Sequence, residues 1–454
     1  MANHRDPRSH TDSLLALCRQ GVDLAQRAGA TDAEVCAEWA HGVDAKVQQN
    51  DLDGLSDTEE TTLGVRVVVD GRPGFATANG TRSLAQAVED AVAIARATAP
   101  DPWAGFVVGT GEVMAGAHVC DALVDWASPE LARRLMAAIA ELRGSDARLT
   151  IDTAELGVSR HARAVASSRG VAGTWAGTHA HGQVFGMAVD GDEVGSFAYD
   201  GDAVGSLTDL DEALAAAFAR FSADALGALG AGSGESFRGT VILPPTTASG
   251  LLIGHAVGAL NGSGIRRSRS PFADKMGERV GVDTLTVVEE AQGLAGHPLA
   301  PFDREGARRQ RRPLIENGVM KGILLDHYEA TAAGTRSTGS ALGGPSSAPR
   351  PGAVALSVAA GDTPEADLIA AQKCVVVTRF SGSTNPVTGD FSGVVKGGFL
   401  VEGGHRRPIK ETTISGNVYT ALEAITGISA ERRLMYGQQL LPTLRVADVS
   451  ITAG

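Results

Sequence analysis

Two stretches with apolar residues on either side of an Asx-Gly turn most constrain the fold of this 454-residue chain. Within residues 61–78, Leu63, Val65, Val67 and Val69 alternate on one face and are followed by Asp70-Gly71, a dipeptide typical of hairpin turns. The segment PLIENGVMKGILLD likewise has apolar residues on both sides of Asn317-Gly318. Both halves are therefore predicted to contain antiparallel hairpins. The 57 glycines and 4% aromatic residues also favour turns and short strands over a helical bundle.

The distribution of helical and extended patterns predicts an α+β protein with two domains. Residues 1–235 are expected to form an α/β domain of antiparallel strands and helices, and residues 236–454 a mainly β, barrel-like domain. The boundary is placed at the glycine-rich GALGAGSGES. Residues 148–206 are interpreted as a meander of short strands, with turn candidates at Asp190-Gly191 and Asp200-Gly201. Helical patterns occur at 11–29, 83–98, 129–142 and 209–226.

Charge and cysteine content exclude several classes of protein. The formal net charge of −13 argues against a general nucleic-acid surface, which needs clustered excess lysine and arginine. The four cysteines are scattered with no C-x-x-C spacing, which indicates reduced thiols and no zinc knuckle. The N-terminus lacks the apolar core of a signal peptide, and no stretch suits a membrane span. We expect a cytoplasmic protein that binds neither nucleic acid nor membrane.

Residues 251–262 (LLIGHAVGALNG) are the most informative segment for function, because they hold only part of the residues that a metallopeptidase helix needs. Their apolar spacing predicts a helix, which Pro244-Pro245 prevents from extending further back. A metallopeptidase helix of the His-Glu-x-x-x-His kind needs two imidazoles for the metal and a carboxylate to activate water. This segment has one imidazole, His255, and no acid. His255 is interpreted as a hydrogen-bonded core or channel histidine.

Other candidate sites have weaker signals. His179-Ala180-His181 places two imidazoles on one strand face, but no third ligand is visible nearby, so a plain polar strand face is favoured over a metal pair. Arginines cluster at 266–269 and 304–312. We expect them in solvated loops; the alternative is that they grip carboxylates of a peptide or of a partner. The chain has neither a G-x-S-x-G nucleophile elbow nor a phosphate-binding loop.

Several segments, in order, resemble the TldD/PmbA family, also called TldD/TldE, some members of which carry the older name "modulator of DNA gyrase". They include TVILPPTTASGLLIGHAVGALNG, RSPFADKMGERV, PFDREGARRQRRPLIENGVMKGILLDHYEAT and GDFSGVVKGGFLVEGGHRRPIKETTISGN. Weaker likeness occurs in AGATDAEV and LGVRVVVDGRPGFA. The order and spacing of these segments carry the resemblance, which spans nearly the whole chain.

The resemblance implies that this chain lacks the metal site of its family. The TldD-type member looks like the metallopeptidase, with a His-Glu-x-x-x-His helix and a later cysteine. Alignment of that helix places Ile253 and Gly258 at the histidine positions and Gly254 at the glutamate. The cysteine position falls around Tyr436-Gly437. This pattern is similar to that of the TldE/PmbA branch, so no catalytic or metal-binding residue is expected here. Zinc is expected in a TldD-like partner.

We therefore expect a non-catalytic, metal-free TldE-like subunit of a heteromeric metallopeptidase. It would shape the chamber in which unfolded or small peptides are hydrolysed. Two alternatives stay open: an autonomous enzyme on the same fold, acting in peptide or small-molecule maturation, and an interaction protein acting on a topoisomerase or another partner. The candidate peptide- or partner-contacting residues are His255, Arg266, Arg336, Arg379 and His405.

Overall fold

The computed structural model describes residues 4–454 and contains two large β-sheets, of eight and twelve strands, with helices packed against them. The predicted α+β class is confirmed, with an antiparallel sheet and helices in the N-terminal part and a barrel in the C-terminal part. Within residues 4–454, no helix is long and apolar enough to cross a membrane.

Four strands of 17 to 19 residues dominate the N-terminal sheet. The prediction of short strands over residues 148–206 is wrong, because two strands of 19 residues occupy most of this part. The turn predicted at Asp200-Gly201 is also wrong, since both residues lie within one strand. The strands are β1 (Asp32–Gln48), β2 (Asp51–Val69), β3 (Arg72–Asn79), β4 (Val113–His118), β5 (Leu149–Ser167), β6 (Ala172–Asp190), β7 (Glu193–Val194) and β8 (Ala198–Val204).

These strands are ordered β3-β2-β1-β5-β6-β4, with β7 and β8 also paired to β6. All neighbours are antiparallel except β4, which runs parallel to β6. The hairpin predicted for residues 61–78 is confirmed. Asp70 and Gly71 form its turn with φ values of 49° and 76°, as a type I′ turn requires.

Helices cover one face of this sheet. Alternation along β1 directs Val35 and Val43 towards the helices, where they are fully buried, and turns Glu34 and Asp44 to the opposite face. The sequence therefore gives the sheet one apolar and one polar face. The helices are α1 (Thr11–Arg27), α2 (Leu84–Ala97), α3 (Asp121–Val124), α4 (Ser128–Ser145) and α5 (Leu210–Gly227), with 3₁₀ turns at Pro7–His10 and Thr81–Ser83.

The C-terminal half is mainly β-structure, as predicted. Many of its strands have only two or three residues and join long connecting segments. They are β9 (Gly232–Ser233), β10 (Phe237–Leu243), β11 (Val287–Glu289), β12 (Gly293–Leu294), β13 (His297–Pro298), β14 (Arg312–Glu316), β15 (Val319–Met320), β16 (Ala341–Leu342), β17 (Arg350–Pro351), β18 (Leu356–Val358), β19 (Cys374–Thr384), β20 (Asp390–Glu402), β21 (His405–Lys410), β22 (Thr412–Asn417), β23 (Ile425–Met435) and β24 (Gln439–Ala453).

Five of these strands close into a barrel. The ring runs β10-β19-β20-β22-β24 and returns to β10, with only the β10–β19 pair parallel. Closure leaves no free edge within the ring. The second predicted hairpin is also confirmed: Asn317 and Gly318, both with positive φ, join β14 to β15.

A helical segment at residues 245–259, here named the barrel helix, packs with the barrel strands. The helix predicted within residues 251–262 is confirmed, begins earlier than expected and contains a π-helical turn. Its parts are α6 (Pro245–Thr247), the π-helical Ala248–Ile253 and α7 (Gly254–Ala259). The remaining helices are α8 (Gly262–Arg266), α9 (His327–Ala332), α10 (Glu365–Ala370) and α11 (Val418–Glu423).

Buried ion pairs join the two halves. Arg304 donates through Nη1 to Oε1 of Glu34 at 2.9 Å, and both side chains are fully buried. Arg66 contacts Glu34 and Glu305 at 3.2 and 3.0 Å. The expectation of a solvated loop is therefore wrong for Arg304, which lies between the sheet and the C-terminal half. The domain boundary between residues 235 and 236 stays a prediction.

Candidate functional site

The barrel helix lies where the sequence places a metallopeptidase helix. Its apolar side chains are almost fully buried in the core of the C-terminal half. The hydroxyl of Thr247 donates to the carbonyl oxygen of Val377 on β19 at 2.6 Å, and the hydroxyl of Ser249 donates to the side chain of Gln439 on β24. These contacts hold the helix against two barrel strands.

The three aligned metal-site positions offer no donor atoms. Ile253 is 1% exposed and packs in the core, whereas Gly254 and Gly258 lie on the exposed face. A Cβ atom at Gly258 would meet no atom within 4 Å. The residues therefore do not fit the zinc ion that the helix alignment implies, and the barrel helix supports no metal-dependent step.

In the described part of the chain, no cysteine lies at the position that the family alignment gives to a metal ligand. Tyr436 and Gly437 form the turn between β23 and β24, both with positive φ. Cys374 lies buried on β19, where burial raises the pKa of its thiol. Its Sγ lies 3.5 Å from the carbonyl oxygen of Ile369. The turn that corresponds to the family's cysteine thus presents no thiol.

His255 is half-buried on the barrel helix, and burial lowers the pKa of its imidazole. Among the described residues, no hydrogen bond reaches its side chain. This differs from the hydrogen-bonded core histidine that the sequence favoured. His255 is consequently a mostly neutral imidazole at pH 7, with both nitrogens available to a ligand.

Arg266 is held within the chain. It forms two hydrogen bonds with the carboxylate of Glu329, of 2.7 and 3.0 Å. Its guanidinium also lies 4.8 Å from the ring centroid of Trp103 and 5.6 Å from that of Tyr328. These contacts link α8 to α9 and to the N-terminal half, and the role of Arg266 in contacting a peptide or a partner stays a prediction.

Arg379 has a similar internal role. Its Nη1 lies 3.5 Å from a carboxylate oxygen of Asp224 on α5, and its guanidinium lies 5.6 Å from the ring of Phe197. The side chain is buried, and burial lowers the pKa of the guanidinium. Arg379 thus connects the barrel to a helix of the N-terminal half.

Arg336 and His405 are exposed, and the described part of the chain gives neither a salt bridge. Arg336 lines a cleft of about 810 Å³ beside the edge strand β4, and His405 begins β21 after the Gly403-Gly404 turn. The five candidate residues lie on different elements, and no recorded contact joins any two of them.

A cleft next to the barrel helix brings together three exposed arginines, of which the sequence grouped Arg267 and Arg269 but not Arg350. This arginine cleft has a volume of about 680 Å³ and is lined by Gly258, Arg267, Arg269 and Arg350, among others. The three guanidiniums are exposed and form no ion pair with any described residue. Glu329, also in the wall, is already paired with Arg266. The cleft therefore offers uncommitted cations that can bind a carboxylate.

His179 and His181 lie on β6 with ring centroids 6.1 Å apart. Burial lowers the pKa of His179 to about 4, so its imidazole is neutral at pH 7. His181 lies beside Asp44 of β1 and Glu155 of β5. The sequence shows no third ligand near the pair, and the structure places two acidic side chains beside one of its members, His181. Strand pairing supplies donors that lie far away in sequence, which spacing along one segment does not reveal.

Comparison with known proteins shows that both halves of the chain are similar to proteins of one family. Residues 236–453 match the family model described as PmbA/TldA metallopeptidase C-terminal domain, and residues 33–95 match PmbA/TldA metallopeptidase domain 1. The chain is 28% identical to Metalloprotease PmbA of Escherichia coli O157:H7, over 91% of this chain and 92% of that protein. It is 25% identical to Metalloprotease PmbA homolog of Haemophilus influenzae, over 94% of both. The crystal structure of TldE from Thermococcus kodakarensis has the same fold, with a TM-score of 0.86 at 22% identity, over 96% of this chain and 99% of that one.

Proposed function

Since this chain belongs to the PmbA/TldD metallopeptidase family, we propose that it is a metal-free, TldE-like subunit of a heteromeric peptidase. In this proposal a homologous TldD-type chain supplies the zinc, the water and the general base. The present chain shapes the chamber that admits unfolded or small peptides. The reaction is hydrolysis of a peptide bond.

One observation carries the proposal: the barrel helix keeps its packing while its ligand positions hold Ile253, Gly254 and Gly258. The loss of donors on a retained framework supports a role in binding or gating instead of catalysis.

Two surfaces support peptide binding. The arginine cleft beside Gly258 offers Arg267, Arg269 and Arg350 to the carboxylate of a peptide. At the edge of the N-terminal sheet, β4 has partly exposed residues throughout and pairs on one side with β6. An extended peptide can add to such an edge through main-chain hydrogen bonds, which gives little sequence preference.

The test is reconstitution. The chain alone, a TldD-type homologue alone and an equimolar mixture would be assayed for cleavage of an unfolded peptide. We expect full activity only in the mixture and a stable complex on gel filtration. An autonomous metalloprotease is the second candidate, because the E. coli relative bears that name. Cleavage by this chain alone at the rate of the mixture would favour that candidate and overturn the proposal.

The arginine cleft has a separate test in the active mixture. Replacing Arg267 and Arg269 together by alanine is expected to raise KM several-fold for a peptide with a free C-terminal carboxylate, with little change for its amidated form. Arg311→Ala is the matched control, since Arg311 is also exposed but pairs with Glu290. An equal loss for both peptides would contradict carboxylate binding in this cleft.

A further inference from the structure

Three potential metal ligands meet on the polar face of the N-terminal sheet. They come from adjacent strands: Asp44 from β1, Glu155 from β5 and His181 from β6. Nε2 of His181 lies 3.7 Å from Oδ1 of Asp44 and 3.8 Å from Oε1 of Glu155. The three donor atoms all lie within 4.8 Å of one another.

These separations suit ligands of one ion better than hydrogen-bonded partners. A nitrogen–oxygen hydrogen bond is about 2.7–3.2 Å long, so neither contact of His181 is one. Ligands about 2.0–2.2 Å from a zinc ion lie roughly 3.0–3.8 Å apart when the angle between them is about 90° to 120°. The measured distances of 3.7 and 3.8 Å fall at the upper end of that range.

The middle strand leaves room for this arrangement. Gly157 on β5 is paired in register with Asp44 on one side and with His181 on the other. A Cβ atom at position 157 would lie 2.1 Å from Oδ1 of Asp44 and 2.8 Å from Nε2 of His181. Only glycine therefore allows these two side chains to approach across the central strand.

Residues outside the cluster orient both carboxylates. Ser56 of β2 donates to Oδ2 of Asp44 at 3.0 Å, and Gln183 of β6 donates to Oε2 of Glu155 at 3.3 Å. In each carboxylate, the oxygen that does not accept this hydrogen bond is the one that faces His181. Such outer hydrogen bonds hold the first ligands of metal sites in place.

The local charge also favours a cation. Asp44 and Glu155 form no ion pair with a lysine or arginine in the described part of the chain, and His181 is their one basic contact. Lys46 shares this face and is paired in register with Glu155, but its side chain is exposed and makes no ion pair. Two carboxylates this close repel each other unless a positive charge lies between them.

We propose that Asp44, Glu155 and His181 bind a divalent transition-metal ion such as Zn²⁺ or Mn²⁺. One imidazole and two carboxylates match the ligand preferences of these ions. Three protein ligands leave at least one coordination position for water. Glu155 also lines an open cleft of about 480 Å³, which gives the ion a path from solvent. The site is separate from the barrel helix and does not depend on the proposed function.

The test is metal binding by the full-length, tag-free chain after removal of metals with a chelator. Mn²⁺ binding would be followed by electron paramagnetic resonance, and Zn²⁺ by competition with a chromophoric chelator. We expect one ion per chain in the wild type and at least 100-fold weaker binding in His181→Gln and in Asp44→Asn. Ser56→Ala is expected to weaken binding by about 10–100-fold, because it removes only an outer hydrogen bond.

Asp57→Asn provides the matched control. Like Asp44→Asn, it removes one negative charge from the sheet. Asp57 of β2, however, is hydrogen-bonded to His41 at 2.7 Å on the opposite face of the sheet. We expect this variant to bind metal as the wild type does. Circular dichroism and thermal unfolding of the metal-free proteins would show that the variants fold. Equal affinity of the wild type and the folded His181→Gln variant, or an equal loss in Asp57→Asn, would overturn the proposal.

Discussion

The barrel helix and the polar face of the N-terminal sheet differ in the potential metal ligands that each carries. The helix has the framework of a metallopeptidase site but holds Ile253 and two glycines where ligands are expected. The sheet has no such framework, yet Asp44, Glu155 and His181 converge on it from three strands. Potential metal ligands are therefore absent from the helix that the family alignment identifies. Three of them lie together instead on the N-terminal sheet, where that alignment predicts no site.

This difference shows that a retained fold and a retained activity are separate properties. Packing against β19 and β24 preserves the helix, and these contacts do not involve the side chains that would hold a metal. Conversely, strand register brings side chains that are distant in sequence together in a sheet, and a glycine on the middle strand leaves the space they need. Each region can thus be tested by changes that leave the other intact.

The largest expected effect is on the contact that joins the sheet to the C-terminal half. Replacing Arg304 by alanine leaves Glu34 as a buried carboxylate with one fewer partner. We expect a loss of about 3–5 kcal/mol in the free energy of unfolding, measured by urea denaturation. Arg311→Ala, which breaks an exposed pair with Glu290, should cost at most about 1 kcal/mol. Equal losses would show that the two halves do not depend on this pair.

Glu289 contrasts with the two carboxylates of the sheet, since it is buried beside Ser340, and burial raises its pKa to about 7. Its unfolded pKa is about 4.5, so the folded state binds more protons between these values. Its stabilising contribution is therefore full below pH 4.5 and is lost as pH rises through 7. In Glu289→Gln, the decline in unfolding free energy from pH 5 to pH 8 should be smaller by about 2–3 kcal/mol. Glu316→Gln, an exposed change, serves as the control, and an unchanged decline in Glu289→Gln would contradict the account.

Gly157→Ala tests the sheet side of the comparison. The new Cβ atom would overlap Asp44 and His181, so we expect a destabilisation of about 1–3 kcal/mol. Metal affinity should fall in the same variant, because the two donors are pushed apart. Gly54→Ala, on β2 with open space around its Cβ, should leave the affinity unchanged. A Gly157→Ala protein with normal affinity would show that the glycine does not shape the site.

Gly258→Ala tests the helix side and has the smallest effect. The added Cβ atom meets nothing within 4 Å, and alanine favours the helix more than glycine does. We expect the protein to become more stable by about 0.5–1 kcal/mol in thermal unfolding. A clear loss of stability would mean that this face of the helix is already in contact with other parts of the chain.

Local turn chemistry explains what the sequence predicts well. The Asp70-Gly71 and Asn317-Gly318 dipeptides fix two hairpins by themselves, and both are found. The full length of β5 and β6 cannot be predicted in this way, because glycine is as typical of a turn as of a crowded strand. In the structure, glycines such as Gly157 lie inside strands where neighbouring side chains need space.

The candidate sites divide in the same way. The absence of ligands on the barrel helix follows from contiguous sequence, so it can be recognised at Ile253 and Gly258 without a structure. The grouping of Asp44, Glu155 and His181 depends on strand register, as the arginine cleft depends on the folding of distant loops. Neither can be obtained from residue spacing.

The most direct measurement of the central claim assigns the catalytic metal to one chain of the reconstituted pair. This chain and a TldD-type homologue would each be stripped of metal separately, freed of chelator and then mixed with the untreated partner. We expect peptide cleavage to survive when this chain was stripped and to disappear when the homologue was stripped. The opposite result, with activity following the metal state of this chain, would contradict it.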